Sequence, residues 1–186
     1  MEVKDLCKAY HGRPVLQNLS FAAGVGITAI WAPSGAGKTT LLRLLLGLEK
    51  PDGGRLVGTD LRWSAVFQED RLCESFSAVD NVLMTSPSSV SRAEARRELM
   101  ELLPEEVLDR PAATLSGGQK RRVAICRALC ASSELLILDE PFTGLDAGTR
   151  MEGIRYLQKK SAGKLTLLST HQEEDILALD GIRITI

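Results

Sequence analysis

The length, composition and charge of the chain indicate a folded globular protein and exclude several other classes. Its 186 residues suit one domain, with 44% hydrophobic and 25% charged residues, a balance that excludes wholesale disorder. The 23 basic and 24 acidic side chains leave a formal charge of −1, and only 4% of the residues are aromatic, so nothing here favours nucleic-acid binding.

The four cysteines do not form the pattern of a disulfide framework. The chain is long enough to build a core without such bonds, and Met1–Asp5 lacks the basic and apolar regions of a secretory leader, so we expect a reducing compartment. Cys126 and Cys130 are four residues apart, but neither histidine is spaced as a further ligand. Burial in a helix is therefore favoured over metal binding.

The first half of the chain contains an uncharged stretch, Pro14–Gly37, that is too polar to cross a membrane. Within it, Ile27–Trp31 predicts a short buried strand, which a glycine-rich loop follows. A leucine-rich segment after the loop, Leu41–Leu46, predicts a helix that ends at Gly47.

Three further apolar runs predict strands: Ala65–Phe67, Leu135–Leu138 and Leu165–Leu168. These runs are apolar at all positions except Thr166 and would therefore be buried on both faces. Such strands are typical of a parallel sheet covered by helices, and the predicted fold class is α/β.

The middle of the chain is predicted to be mostly helical. Residues from about Ser86 to Arg110 are rich in charge, and Ser91 with Glu94 has the spacing of a capping box. We expect one domain over residues 1–186, with a catalytic core at about 1–72 and 132–186 and an inserted helical subdomain at about 73–131.

The loop after the first buried strand has the pattern of a phosphate-binding loop. Ala32–Thr39 matches Gly-x-x-x-x-Gly-Lys-Ser/Thr except that Ala32 replaces the first glycine. In such a loop the backbone N–H groups hold phosphate oxygens, the lysine reaches the β- and γ-phosphates and the hydroxyl binds Mg²⁺. Because of Ala32, a plain glycine-rich turn remains an alternative for this segment alone.

An acidic pair, Asp139 and Glu140, follows the apolar run Leu135–Leu138. Ligands of parallel sheets collect at the carboxyl ends of the strands, where an Asp can hold Mg²⁺ and a Glu can orient or deprotonate water. The pair could instead cap a helix, but its combination with Lys38 favours a nucleotide site.

Leu115–Gln119, with the sequence LSGGQ, is the most specific segment. Ser116 and Gln119 alone would form a capping box. The glycines Gly117 and Gly118 suit, in addition, a bare backbone that an anion approaches closely at a helix start.

With this segment the chain resembles the nucleotide-binding subunit of ABC transporters, whose signature sequence it reproduces. The resemblance covers nearly the whole chain and implies a P-loop NTPase fold with a mostly parallel sheet and a small N-terminal antiparallel β part. It also implies ATP and Mg²⁺ as cofactors and ATP hydrolysis as the activity.

The resemblance implies a role for each site residue. Phosphate contacts fall on Ser34, Gly35, Ala36, Gly37, Lys38, Thr39 and Thr40, adenine stacking on Tyr10, Mg²⁺ on Thr39, Gln68 and Asp139, hydrolysis on Glu140, His171 and Gln68, and contacts from a second chain on Ser116, Gly117, Gly118, Gln119 and Asp146. Without the family, Tyr10 could equally lie in the core and His171 would more often be a structural histidine.

The implied function is that of an ATPase subunit that dimerises with itself or a homologous subunit when ATP binds. It would lie on the cytoplasmic face of the membrane and drive permease subunits in separate chains, which would dock near Leu72–Phe76. Asp109–Thr114 lacks the acidic, glycine-containing stretch typical of exporters, which favours an importer of a small solute. The alternative is an ATP switch that organises a membrane-associated complex without moving cargo.

Overall fold

A computed structural model describes residues 1–186 and contains two β-sheets. The smaller sheet is antiparallel, with strands β1 (Glu2–Tyr10), β2 (Arg13–Ala22) and β4 (Gly53–Val57) in the order β2-β1-β4. This sheet is the small antiparallel part that the family resemblance implied.

The larger sheet is parallel throughout. Its strands are β3 (Gly26–Trp31), β5 (Trp63–Val66), β6 (Leu135–Asp139), β7 (Leu165–Thr170) and β8 (Ile182–Thr185), in the order β5-β6-β7-β3-β8. Every residue of β6 and β7 is buried, as the apolar runs predicted, and the α/β fold class is confirmed.

Six helices complete the fold. They are α1 (Lys38–Leu45), α2 (Ala78–Leu83), α3 (Arg92–Met100), α4 (Gly117–Cys130), α5 (Ala147–Ser161) and α6 (Glu173–Leu179). The leucine-rich helix α1 ends one residue before Leu46, and Gly47 follows with a φ of 67°, which suits a glycine at a helix end. None of the six is both long and apolar enough for a bilayer span.

The charged helix predicted from about Ser86 to Arg110 is shorter than expected. Only α3 is α-helical, and it begins with the predicted capping box of Ser91 and Glu94. Pro104 starts a separate 3-10 turn at Glu105–Val107, because a proline disfavours the helical conformation of the residue before it. The capping box therefore sets the start of α3, and Pro104 prevents the helix from continuing into the next turn.

Two clusters of apolar side chains form the core. The larger joins α2, α3, α4 and α5 to one face of the parallel sheet, and the smaller joins α1 and the antiparallel sheet to the other face. Cys126 is fully buried in the larger cluster, with its sulfur 3.8 Å from that of Cys130. The packing interpretation of this cysteine pair is therefore consistent with the fold.

Candidate functional site

The strand ends of the parallel sheet bring the predicted site residues to one edge. Asp139, the last residue of β6, is in register with Ser169 of β7, and Trp31, the last residue of β3, is in register with Thr170. The glycine-rich loop, the acidic pair and His171 each continue from one of these ends. Three segments far apart in sequence are thus adjacent because parallel strands end together.

The loop between β3 and α1 has the backbone conformation of an anion-binding turn. Gly35 and Gly37 have φ angles of 82° and 97°, in the left-handed region that favours glycine. A Cβ atom at Gly37 would lie 2.8 Å from Val15 Cγ1, so this position also needs glycine for space. Ala32 is buried without a positive φ, which means that alanine is tolerated in place of the usual glycine.

Lys38 is buried and its ammonium group is fully engaged. Its Nζ donates to the carbonyl oxygens of Ala32, at 2.8 Å, and Pro33, at 3.1 Å, and lies 3.4 Å from Glu140 Oε1. Burying an ammonium group requires such partners. The lysine is thereby held beside the loop, next to the acidic pair.

Asp139 is buried and joined to two hydroxyl groups. Thr39 Oγ1 donates to Asp139 Oδ2 at 2.7 Å, and Ser169 Oγ donates to Asp139 Oδ1 at 2.5 Å. Hydroxyl, carboxylate and amide oxygens are the hard ligands that Mg²⁺ prefers. Thr39, Asp139 and the nearby amide of Gln68 therefore fit a magnesium ion.

Glu140 lies at the centre of the charged groups. His171 Nδ1 is 3.2 Å from Glu140 Oε1, and Thr143 Oγ1 donates to Oε2 at 3.3 Å. Burial raises the pKa of Glu140, but the hydrogen bond from His171 and the charge of Lys38 outweigh burial and hold it below its ordinary value. The carboxyl group is thus ionised at neutral pH.

A cleft of about 350 Å³ opens beside these groups. Gln68, which follows β5, is exposed and also lines the cleft. Ala36 lies in the loop but does not line the cleft, and its N–H donates to the Pro33 carbonyl at 3.3 Å. The predicted site residues that line the cleft are Tyr10, Ser34, Gly35, Gly37, Lys38, Thr39, Thr40, Gln68 and Glu140.

Tyr10 is a cleft residue rather than a core residue. Its side chain is 38% exposed and its hydroxyl donates to the carboxylate of Glu49, which raises the pKa of the tyrosine. Glu49 is in turn paired with Arg43 of α1, at 2.8 Å. Through Glu49 and Arg43, the aromatic ring is therefore held against α1, the helix that follows the phosphate loop.

The signature segment does not line this cleft in the same chain. Ser116 Oγ accepts from the N–H of Gln119 at 3.3 Å, and Gln119 Oε1 accepts from the N–H of Ser116 at 2.9 Å, so both form the predicted capping box of α4. Ser116 and Gly117 are exposed. Asp146 is exposed as well and caps α5.

Three contributing residues were missed by the sequence reasoning. Ser169 holds both acidic residues, since it donates to Asp139 and its Oγ accepts from the N–H of Glu140 at 3.0 Å. A polar residue at the end of a buried strand was a usable signal for it. Glu49, which accepts from the Tyr10 hydroxyl, and Arg121, which donates to the Phe67 and Gln68 carbonyl groups, had no such signal, because nothing in their own segments marks them as site residues.

The fold and the cleft define a P-loop nucleotide-binding protein with an α/β sheet. Residues 16–143 match the family model described as ABC transporter, and the chain belongs to this family. It is 38% identical to the Fe(3+) ions import ATP-binding protein FbpC 3 of Rhodococcus jostii over 97% of its length, and 38% identical to the sulfate/thiosulfate import ATP-binding protein CysA of Vibrio vulnificus over 95%. It spans 58% of each of these relatives.

Solved structures agree with this assignment. A dimeric ATP-binding cassette, MJ0796, in a post-hydrolysis state bound to ADP and Pi, superposes with a TM-score of 0.81 at 27% identity, over 94% of this chain and 89% of that one. A second dimeric structure of MJ0796, described as a bacterial ABC transporter cassette, gives 0.82 at 26% identity and covers 99% of this chain and 94% of that one. The architecture is that of a nucleotide-binding cassette.

Proposed function

We propose that this chain is the ATP-hydrolysing motor subunit of an ABC transporter. The observation that carries the proposal is the convergence of Lys38 and His171 on Glu140, which lines the cleft beside the phosphate loop. A cationic side chain, an ionised carboxylate and loop N–H groups are what a triphosphate and its attacking water require.

ATP would bind with its phosphates against residues 34–40 and its adenine on the ring of Tyr10. The side chain of Lys38 would exchange its carbonyl partners at Ala32 and Pro33 for phosphate oxygens, which are stronger acceptors because they are charged. Thr39, Gln68 and Asp139 would hold Mg²⁺, which neutralises charge on the β- and γ-phosphates.

Glu140 would accept a hydrogen bond from the water that attacks the γ-phosphate. Its pKa lies below the ordinary value of 4.5, so the carboxylate is a weak base and acts by orienting and polarising the water. His171, with its Nδ1 3.2 Å from the carboxylate, would fix the position of Glu140 and contact the γ-phosphate.

A second chain would complete the site. Ser116, Gly117, Gly118 and Gln119 lie outside the cleft of their own chain, and Ser116 and Gly117 face solvent at the start of α4. A partner chain placed head to tail would bring these groups onto the γ-phosphate, with Asp146 at the interface. Two ATP molecules would then lie between two chains, and hydrolysis would reopen the dimer.

Import of a small solute is the transport reaction that we favour. The two relatives described above are named as import ATP-binding proteins, one for Fe(3+) ions and the other for sulfate or thiosulfate. The chain would lie on the cytoplasmic face of the membrane, and permease subunits in separate chains would dock beside Leu72–Phe76. Phe76 supports this position because its side chain is 43% exposed.

Substitution of Glu140 by Gln tests the proposed hydrolysis. The variant keeps a hydrogen-bonding side chain but cannot polarise water as a carboxylate does, so it should bind ATP, stop turning over and accumulate as a dimer. Light scattering after size exclusion with ATP and Mg²⁺ measures the dimer, and phosphate release measures turnover. Lys38→Ala is the control that should form no dimer. Rapid turnover by Glu140→Gln would contradict the role of Glu140.

Affinity capture from detergent-solubilised host membranes tests the transporter assignment. A multi-spanning protein recovered in equal amount with the tagged chain would support it. Recovery of only soluble proteins or of a single-span scaffold would instead favour an ATP switch that organises a membrane-associated complex.

A further inference from the structure

Two cysteine thiols of helix α4 lie side by side, and the proposed nucleotide chemistry uses neither of them. Cys126 and Cys130 are about one helical turn apart, and their sulfur atoms are 3.8 Å from each other. The hydroxyl oxygen of Tyr156 in α5 contacts both sulfur atoms, at 3.5 Å and 3.6 Å. The contact between α4 and α5 therefore holds the two thiols as a pair.

The two thiols differ in their access to solvent. Cys126 is fully buried in the larger apolar cluster, whereas Cys130, the last residue of α4, is half-buried. Cys130 also lines a cleft of about 580 Å³ that α3 forms with the ends of α4 and α5. A small reagent can therefore reach Cys130 from solvent, while Cys126 can react only through Cys130.

Charged side chains surround the thiol that faces this cleft. Lys160 and Lys164 line the cleft together with Cys130. Lys160 Nζ donates to Glu98 Oε1 at 2.6 Å, and the Tyr156 hydroxyl group donates to Glu98 Oε2 at 2.9 Å. Glu98 is thus bound on both oxygen atoms, and the two lysines place positive charge near the cysteine pair.

The surroundings make the two thiols chemically unequal. The hydrogen bond with Cys126 lowers the pKa of Cys130, and the charge of Lys160 adds to this effect, while burial and Glu98 oppose it. The same hydrogen bond, together with burial, raises the pKa of Cys126. Cys130 is therefore the thiol that ionises first, and the thiolate is the nucleophilic form of a cysteine.

The position of the pair at the end of α4 allows the two sulfur atoms to approach each other. A disulfide needs Cβ atoms about 3.5–4.5 Å apart, whereas residues four apart on a helix have Cβ atoms about 5–6 Å apart. The last turn of the helix must supply this approach. Ala131 already has an extended backbone, with φ −67° and ψ 145°, so Cys130 can move without unwinding the interior of α4.

We propose that Cys126 and Cys130 form a redox-active dithiol that hydroperoxides oxidise to a disulfide. The Cys130 thiolate attacks the terminal oxygen of the peroxide, which gives a sulfenic acid at Cys130 and releases the other oxygen as an alcohol or water after it takes up a proton. The Cys126 sulfur then attacks the Cys130 sulfur, and the hydroxyl group leaves as water with the Cys126 proton. The two sulfur atoms lose two electrons, which reduce the O–O bond. This chemistry is independent of the proposed ATPase function.

Peptide mapping after oxidation tests the bond directly. Trypsin cuts after lysine and arginine, so Cys126 and Cys130 fall in separate peptides, residues 123–127 and 128–150. After a small excess of hydrogen peroxide and alkylation of the remaining thiols, these peptides should appear joined, lighter than their sum by two hydrogen atoms. Dithiothreitol should separate them again. Two unlinked peptides, or an oxidation of Cys130 that dithiothreitol does not reverse, would overturn the proposal.

Alanine variants test which thiol reacts first. In Cys126→Ala the sulfenic acid at Cys130 has no thiol to react with, so dimedone should trap it. In Cys130→Ala the buried Cys126 should stay a free thiol under the same treatment. Each change removes one sulfur atom and introduces the best helix former, so both variants should fold. Trapping of Cys126 in Cys130→Ala would contradict the proposed order.

Cys7 provides the matched control, since it is half-buried like Cys130 but its sulfur donates to Asn18 Oδ1, at 3.3 Å, instead of facing a second thiol. Cys7→Ala should form the bond between Cys126 and Cys130 as fast as the wild type. In the wild type, Cys130 should react with peroxide about tenfold faster than Cys7, because a lowered pKa raises the thiolate fraction by about that factor. Equal rates at Cys7 and Cys130 would show that the cleft does not activate Cys130, and the proposal would fail even if either variant of the pair did not fold.

Discussion

At the scale of single residues, the backbone of Glu140 shows how strongly the site constrains its chemistry. Glu140 has a φ of 45°, in the left-handed region, and its N–H donates both to Ser169 Oγ at 3.0 Å and to the Ser169 carbonyl at 3.2 Å. Such a conformation is unfavourable for glutamate and occurs often at functional sites. It directs the carboxylate to Lys38 and His171, which keep it ionised.

Substitution of Gly37 by Ala should be more harmful than the same change at Gly35. Both glycines have a positive φ, which disfavours alanine by about 1 kcal/mol, but only at Gly37 does the new methyl group meet Val15 and force a shift of about 1–3 kcal/mol more. Urea unfolding of both variants measures the difference. Equal losses of stability would show that the contact with Val15 relaxes freely.

The low pKa of Glu140 predicts a specific pH dependence of stability. A carboxyl group whose pKa is lowered by folding stabilises the folded state above its unfolded pKa of about 4.5, and this contribution disappears as the pH falls through the lower folded value. The wild type should therefore lose more stability than Glu140→Gln between pH 5 and acidic pH. Urea titrations from about pH 7 to pH 3 measure both. If the free energy of unfolding of the two proteins fell in parallel with pH, the pKa of Glu140 would not be lowered by folding.

At the scale of secondary structure, the first residues of helix α4 both cap the helix and carry the proposed phosphate contact. Ser116 caps the helix through the Gln119 N–H, and the same serine would contact a partner's phosphate. The helix also carries Arg121 and Arg127, which donate to backbone carbonyl groups of residues 67–71, the Gln68 loop. Helix α4 therefore combines a helix cap, a proposed phosphate contact and the contacts to the Gln68 loop, and single substitutions can separate these roles.

Ser116→Asn should separate capping from phosphate contact. Asparagine is as good a helix cap as serine, so the free energy of unfolding should change by less than about 0.5 kcal/mol, whereas ATPase activity should fall because the hydroxyl group is lost. Ser91→Ala, which removes the capping box of α3, should do the reverse and lower stability by about 1 kcal/mol with activity retained. Urea unfolding and phosphate release measure both effects. Full activity in Ser116→Asn would exclude a phosphate contact by the hydroxyl.

At the scale of the whole molecule, the signature segment does not line the cleft of its own chain, so the proposed site would need two chains. The cleft contains the phosphate loop and Glu140 but neither Ser116 nor Asp146. The two dimeric structures of a related cassette match nearly the whole chain. Catalysis is therefore expected to depend on an interface that a single chain cannot form with itself.

Mixing two inactive variants should restore activity. In a head-to-tail dimer of a Lys38→Ala chain with a Ser116→Ala chain, one site has both an intact phosphate loop and an intact signature. Because only one of the two sites of a mixed dimer is intact, and because Lys38→Ala chains form no dimer with each other, equal amounts should restore at most about half of the wild-type rate per chain, if the sites act independently. Phosphate release at increasing ratios of the two variants measures this. No recovery at any ratio would contradict the shared site.

Much of the fold and of the nucleotide cleft was predictable because the signals were local. Runs such as Leu135–Leu138, apolar at every position, predicted buried parallel strands, and all five strands of the larger sheet are parallel. The charged segment after Ser86 was predicted too long, because prolines ended its helix early. Ala32 made the sequence match to the phosphate-loop pattern incomplete, but the backbone at this position does not need glycine, because its φ angle is not positive.

The amino-acid sequence by itself determined the order of the elements, the phosphate loop, the acidic pair and the signature segment, because each depends on residues close together in the chain. Only the tertiary structure decided that Ser169 holds the acidic pair, that Glu49 anchors Tyr10 and that Arg121 and Arg127 bind the Gln68 loop. These contacts join residues that are tens of positions apart. They exist because the sheet and the helices bring those residues together in space. A pattern of neighbouring residues in the sequence carries no information about such contacts.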